Sequence, residues 1–247
     1  MDDNQKEVKT VPPIGIVSAL KAEAVLFSVL DRHSELLPGH PCQISSNLIL
    51  YISGIGADRA YDASQELIKK GVSTLVSWGC AGALIPDISP GDLVLPKVII
   101  TGDKTITSNT KWHDRLYSTL KKHLNVNTGP LVQHEKILAT PEDKKSLALK
   151  CNAVAIDMES GAVAEAACSA GIPFIAIRAI SDTANMTIPL SATKAADISG
   201  QICAAHLLME LLKNPADISG LFRLAMTFHA AKKTLKKVLD VTTWTVS

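Results

Sequence analysis

The chain has 247 residues, and 25 Lys and Arg against 24 Asp and Glu leave a formal net charge of +1. A balance that close carries no electrostatic footprint for nucleic acid over the whole chain. With 47% apolar and only 4% aromatic residues, the core must be built from aliphatic and small side chains, which suits one large α/β domain with helices on both faces of a sheet.

After a polar lead over residues 1–12, Ile14–Ala19 reads as a first strand, followed by a helix over Lys21–Leu30. A second strand, Asn47–Ser53, ends at Gly54-Ile55-Gly56, and the helix over Ala57–Lys70 stops at Gly71 as a C-terminal glycine should. Ser73–Trp78 is a third strand that breaks into Gly79-Cys80-Ala81-Gly82. Asp92–Thr101 returns as a strand bent by Pro96 or placed at an edge. Residues 102–128 are polar, with a helix around Asp114–His123, and leave open whether the segment is an ordered lid. Gly129–His134 is a short strand and Pro141–Lys150 a charged helix.

Two apolar runs follow, Val154–Glu159 and Phe174–Asp182, separated by an Ala-rich helix over Ser160–Ala170 that closes at Gly171 and Pro173. That is the grammar of strand, crossover helix and second parallel strand. A helix over Ala195–Leu212 comes next. Pro215 then opens an amphipathic helix carrying Ile218, Leu221, Phe222, Ala225, Phe228 and Leu235 near helical spacing, with Lys232, Lys233, Lys236 and Lys237 near its end. The organisation expected is a single domain over 1–247, with 215–247 as a C-terminal helical extension.

Five cysteines (Cys42, Cys80, Cys151, Cys168, Cys203) lack CxxC pairing, and the apolar settings of Cys168 and Cys203 predict reduced, buried thiols in a cytoplasmic protein. Seven histidines are equally scattered, so no metal or resident cofactor is expected. Met1–Thr10 has no apolar signal core, and no run approaches the roughly 20 apolar residues of a membrane span.

In open α/β sheets ligands bind outside the carboxyl ends of strands, which directs Glu159 and Asp182 to one crevice. Each alone is equally a helix-start or turn-capping acid. Two delivered to one cleft, with Arg178 close by, are candidates for acid and base work on a bond. Gly54-Ile55-Gly56 invites a dinucleotide reading and fits it poorly: Arg59 stands where a third glycine is needed, and the next strand ends at Ser77-Trp78 without a ribose-binding acid. The small residues Gly79 to Gly82 would let backbone N–H groups approach a ligand, or simply let a strand and helix pack closely.

Gly15–Glu23, Ser53–Gly56, Gly79-Cys80-Ala81-Gly82, Asp157-Met158-Glu159 and Arg178–Asp182 occur in the order found in the nucleoside phosphorylase-I superfamily. Within it the chain resembles methylthioadenosine/S-adenosylhomocysteine nucleosidases over about residues 14–212, and hopanoid-associated phosphorylases through the tail as well. The resemblance implies a three-layer α/β/α sandwich around a mixed, partly barrel-like sheet, and cleavage of the N-glycosidic bond of an adenosine-type nucleoside. It implies that Asp182, positioned by Ser181, protonates the purine. Glu159 holds the ribose hydroxyls as positive charge develops, with Met158 against the ribose. An acid matching Glu23 activates water in the nucleosidases. The same resemblance assigns Ile137 and Leu138 to the base, Cys80, Ala81 and Gly82 to the substrate loop, and Arg178 to support of the Glu159 side.

The nucleophile stays open on these grounds. Inorganic phosphate is the co-substrate of the phosphorylases, but Ser77 stands where hexameric phosphorylases carry a phosphate-holding Arg, and Glu23 would repel a phosphate dianion. The Leu221–Ala225 stretch and the Ile188-Pro189-Leu190 loop look like the hopanoid-associated group, whose substrate would be adenosylhopane. An apolar, basic-ended helix is then a candidate for peripheral contact with the inner membrane face, with ordinary core cover as the alternative. The family implies a homo-oligomer, a dimer being favoured, and no nucleic-acid partner.

Overall fold

The computed structural model describes residues 12–29, 36–189, 191, 214 and 217–244, and in it the apolar runs become one mixed sheet of eleven strands. In chain order the elements are β1 (Ile14–Ser18), α1 (Lys21–Ala24) running into a 3-10 turn (Val25–Val29), β2 (Pro41–Ser45), β3 (Leu48–Ile52) and α2 (Ala57–Lys69). Then come β4 (Thr74–Ala83), β5 (Leu93–Val94), β6 (Val98–Thr101), β7 (Lys104–Thr107), α3 (Thr110–Leu120), β8 (Val126–Asn127) and β9 (Leu131–Gln133). The last are α4 (Pro141–Cys151), β10 (Ala155–Asp157), α5 (Ser160–Ala170), β11 (Phe174–Asp182) and α6 (Asp217–Val241). The helix expected over 195–212 lies outside the described residues, as do Cys203 and Leu190.

The sheet runs β2-β3-β1-β4-β10-β9-β6-β7, with β11 on β4, β5 on β11 and β8 on β5. Strand alternation sorts side chains between its two faces. Ile14 and Ile16, Val76 and Trp78, and Ile175, Ile177 and Ala179 point to a core shared with the 3-10 turn, α3 and α6. Val17, Leu75, Phe174, Ala176 and Ile180 point to a second core beneath α2 and α5, which pack on each other. The sheet is therefore sandwiched between helical layers, as the resemblance implied. Trp78 is fully buried, with its ring 5.0 Å from Phe27 and 5.9 Å from Trp244, which ties the C-terminal residues to the central strand.

β4 organises the site. One edge pairs in parallel with β1 over Thr74–Trp78 and then antiparallel with β10 at Gly82 and Ala83, while the other edge pairs in parallel with β11. This corrects two expectations. Gly79 to Gly82 are not a loop, because β4 runs straight through them. Nor are the strands bearing Glu159 and Asp182 parallel neighbours: β10 runs against β4, β11 runs with it, and they lie on opposite edges. α5 still connects them, but as a link across β4 rather than a crossover between adjacent parallel strands.

Smaller differences have local causes. Pro96 interrupts the strand expected over 92–101, leaving β5 and β6. Residues 102–128 hold β7, α3 and β8, with Trp112, Leu116 and Leu120 of α3 buried in the core. Cys168 is exposed, since α5 turns its last residues out of the core before Gly171 ends it in a left-handed conformation (φ 66°). Among the described residues no helix is long and apolar enough to cross a membrane.

Candidate functional site

The carboxyl end of β4, flanked by β10 and β11, opens into a cavity of about 710 Å³. Glu23, Glu159 and Asp182 all line it, and so do Met158, Ser181, Arg178, Cys80, Ala81, Gly82, Ile137 and Leu138. The structure thus brings together the residues to which the resemblance gave a part in catalysis or substrate binding, although β10 and β11 reach the cavity from opposite edges of β4. None of residues 102–128 lines it. Among the described residues no group of three or more His, Cys, Asp and Glu side chains is disposed to hold a metal ion.

Glu23 is carried in by α1 directly after β1 and is 3% exposed. Its Oε1 accepts the Cys80 backbone N–H (2.8 Å), and its Oε2 lies 3.3 Å from both the Ser18 hydroxyl and the Leu20 N–H. Burial raises its carboxyl above the usual range, against the lowering pull of Arg178 and these N–H groups. The Cys80 thiol is pushed up by burial and then by the charge of Glu23. Gly79 leaves room for the Arg178 and Glu23 side chains here: at φ 154°, a Cβ on it would sit 2.6 Å from Arg178 Nη1 and 2.7 Å from Glu23 Oε2.

Glu159 stands at the start of α5, yet its side chain does not cap that helix. It crosses to the start of α2, where Oε1 accepts the Gly56 N–H at 2.9 Å, so the glycine turn that invited a dinucleotide reading holds a carboxylate instead. The positive end of α2 favours the charge. Burial and the neighbouring Asp157 charge nevertheless raise Glu159 to about 7, with Arg178 and Gly56 opposing.

Arg178 supports this wall by a route other than direct contact with Glu159. Its Nε donates to Asp157 Oδ2 (2.7 Å), and its Nη2 to the hydroxyls of Ser77 (2.6 Å) and Ser160 (3.0 Å). Asp157 also takes the Ser160 N–H and hydroxyl. Burial works against the Arg178 charge, but Asp157, Glu159 and Glu23 together hold its proton above the ordinary range. The guanidinium is therefore spent on structure between β4, β10 and α5.

Asp182 ends β11 and is 7% exposed. The Ser181 hydroxyl lies 3.1 Å from its Oδ1 and has the Ala81 carbonyl as a second acceptor at 3.3 Å. Its Oδ2 meets a partner that sequence reasoning missed, Lys144 of α4, at 2.6 Å. α4 is placed by Thr140, whose hydroxyl caps it at Asp143 N–H (3.2 Å). A signal for Lys144 existed: it falls at the helical spacing of Leu147, Ala148 and Cys151, which pack inward. The outer part of the cavity is apolar. Ile137, Leu138 and Ile188 face Leu221, Leu224, Ala225 and Phe228 of α6, so α6 forms a wall of the site as well as covering β11.

The family model for the phosphorylase superfamily matches residues 43–213. A 5′-methylthioadenosine/S-adenosylhomocysteine nucleosidase of Staphylococcus haemolyticus is 26% identical over 198 residues, covering 70% of this chain and 87% of the relative. The enzyme of that name from Buchnera aphidicola is 27% identical over 222 residues, 74% of this chain and 82% of the relative. Among solved structures, the Helicobacter pylori 5′-methylthioadenosine/S-adenosylhomocysteine nucleosidase superposes with a TM-score of 0.68 at 21% identity, covering 94% and 99% of the two chains. The futalosine hydrolase of the same organism gives 0.69 at 20%, covering 93% and 98%. At such identities the structural likeness establishes the shared mixed α/β fold, and with the match over residues 43–213 the chain belongs to the phosphorylase superfamily.

Proposed function

We propose that this protein cleaves the N-glycosidic bond of an adenosine-type nucleoside and releases adenine, as a nucleosidase of the methylthioadenosine/S-adenosylhomocysteine kind. The observation that carries the reading is the convergence of three buried carboxylates, Glu23, Glu159 and Asp182, on one cavity. Adenine leaves poorly as an anion, so a proton must reach its N7, and Asp182 is the acid in this role. As the bond from C1′ to nitrogen breaks, its electron pair goes to the base and the sugar becomes oxocarbenium-like; Glu159 binds the ribose hydroxyls and offsets that charge. Water attacks C1′ and gives a proton to Glu23, whose carboxylate burial makes a stronger base. One proton is lost by Asp182 and one gained by Glu23, so exchange with solvent restores the enzyme.

Water is favoured over phosphate by charge. The cations lining the cavity are Lys21, Lys136, Lys144 and Arg178. Arg178 is held by Asp157, Ser77 and Ser160, and Lys144 by Asp182. Lys21 and Lys136 are exposed at the rim. A phosphate dianion beside Glu23 would meet a buried carboxylate with no free buried cation among the described residues.

A second reading concerns the 5′ substituent. The wall formed by Leu221, Leu224, Ala225 and Phe228, with Ile218, Phe222 and Met226 of the same helix exposed, favours a large apolar group on the ribose 5′ carbon, as in adenosylhopane. It also favours contact of α6 with a membrane surface. Adenine release from methylthioadenosine, S-adenosylhomocysteine and adenosylhopane, each with and without phosphate, separates these readings. Turnover of the soluble nucleosides without phosphate supports the first, and turnover of adenosylhopane alone supports the second. Release that requires phosphate overturns the assignment of water.

A further inference from the structure

The Lys144 side chain is 1% exposed, and its ammonium spends all three N–H donors inside the protein: Asp182 Oδ2 at 2.6 Å, the Thr183 carbonyl at 2.8 Å and the Met186 carbonyl at 3.1 Å. Burying an ammonium is unfavourable unless it is paired and hydrogen-bonded. Its two carbonyl partners lie in the segment after β11, with Met186 itself buried, and its third donor goes to the carboxylate that faces the cavity.

We propose that Lys144 is a positioning residue for proton transfer from Asp182, acting through that carboxylate and never touching the substrate. The inference rests on the glycosidic reading above. With Oδ2 committed to Lys144, the transferable proton sits on Oδ1. Ser181 can then turn its hydrogen to the Ala81 carbonyl and accept from Oδ1 until the purine arrives. When Oδ1 gives its proton to N7 and the glycosidic pair goes to the base, the carboxylate left behind is already paired with a cation at hydrogen-bond distance. Lys144 thereby stabilises the product of the transfer and fixes which oxygen faces the base. The other titratable groups around Asp182 are the Cys80 thiol on β4 and, elsewhere on the cavity wall, Glu159, Glu23, Asp157, Arg178, Lys21 and Lys136. None of them donates to Oδ2.

The test compares kcat and KM for adenine release by the full-length wild type, Lys144→Met and Lys144→Arg. Lys144→Met should lower kcat on the order of 10- to 100-fold, part of what general acid catalysis contributes, with KM little changed. Lys144→Arg, which restores the charge, should recover most of the rate. A double variant, Lys144→Met with Asp182→Asn, should be no slower than Asp182→Asn alone, since Lys144 acts only through Asp182. Lys144→Gln, with two amide N–H donors and no charge, replaces the Met variant if that does not fold. A loss carried by KM rather than kcat, no rescue by Arg, losses that add in the double variant, or no loss at all would each overturn the proposal. Wild type that releases no adenine overturns the glycosidic reading itself, and this role with it.

Discussion

Replacing Glu159 with Gln removes a charge that folding places in an unfavourable setting, and the structure gives the size of the effect. The carboxyl is 7% exposed, beside Asp157, and accepts one backbone N–H from Gly56. Burial and Asp157 raise it from 4.5 to about 7. The folded protein therefore holds this proton more tightly than the unfolded chain. Its contribution to stability is complete below pH 4.5 and is lost as pH rises through about 7. At about 1.36 kcal/mol per pH unit, the loss is on the order of 3 kcal/mol, less whatever the folded site recovers by relaxing. Gln has a similar shape and can still accept from Gly56, but it has no proton to lose. Urea unfolding of both proteins at pH 4.5, 6, 7 and 8 should show Glu159→Gln close to wild type at the acid end and more stable at pH 8 by up to about 3 kcal/mol. The same variant should lose most turnover, because a neutral amide does not offset positive charge on the ribose. A stability difference that stays flat across this pH range would refute the argument, and full turnover by the variant would remove Glu159 from the reaction.

Three further outcomes follow from neighbouring geometry. Glu23→Gln should cut adenine release on the order of 10²- to 10⁴-fold, the usual contribution of a general base, without a matching loss in Tm; steady-state kinetics with thermal unfolding checks both. Arg178→Met leaves Asp157 buried without its cation and should cost about 3–5 kcal/mol in denaturant unfolding, even though Arg178 lines the cavity. Gly79→Ala drives a methyl within 2.6 Å of Arg178 Nη1 and 2.7 Å of Glu23 Oε2. It should lower stability by roughly 1–3 kcal/mol and turnover as well, whereas unchanged kinetics would show that the pair can separate freely.

Much of the architecture was legible because local signals and tertiary packing agree. The helix over Ser160–Ala170 and the strand over Phe174–Asp182 form as expected, bounded by Gly171 and Pro173. What failed was information that a run of residues does not carry. An apolar run has no direction, so the sense of β10 against β4 could not be read from Val154–Glu159. Glycines in sequence suggest a break, yet Gly79 and Gly82 lie inside β4 because Arg178, Glu23 and Asp182 occupy the space a side chain would need. The three carboxylates were recognisable because their motifs recur in order. Lys144 was not, since it is one of several lysines on a charged helix and only its inward register distinguishes it.

Single-turnover cleavage of methylthioadenosine in oxygen-18 water, with phosphate present, distinguishes attack by water from attack by phosphate. The expected products are free adenine in equal amount to the sugar, with the label in the C1′ hydroxyl and no sugar phosphate. Adenine formed together with an unlabelled sugar 1-phosphate would contradict attack by water. Intact methylthioadenosine would contradict its assignment as substrate.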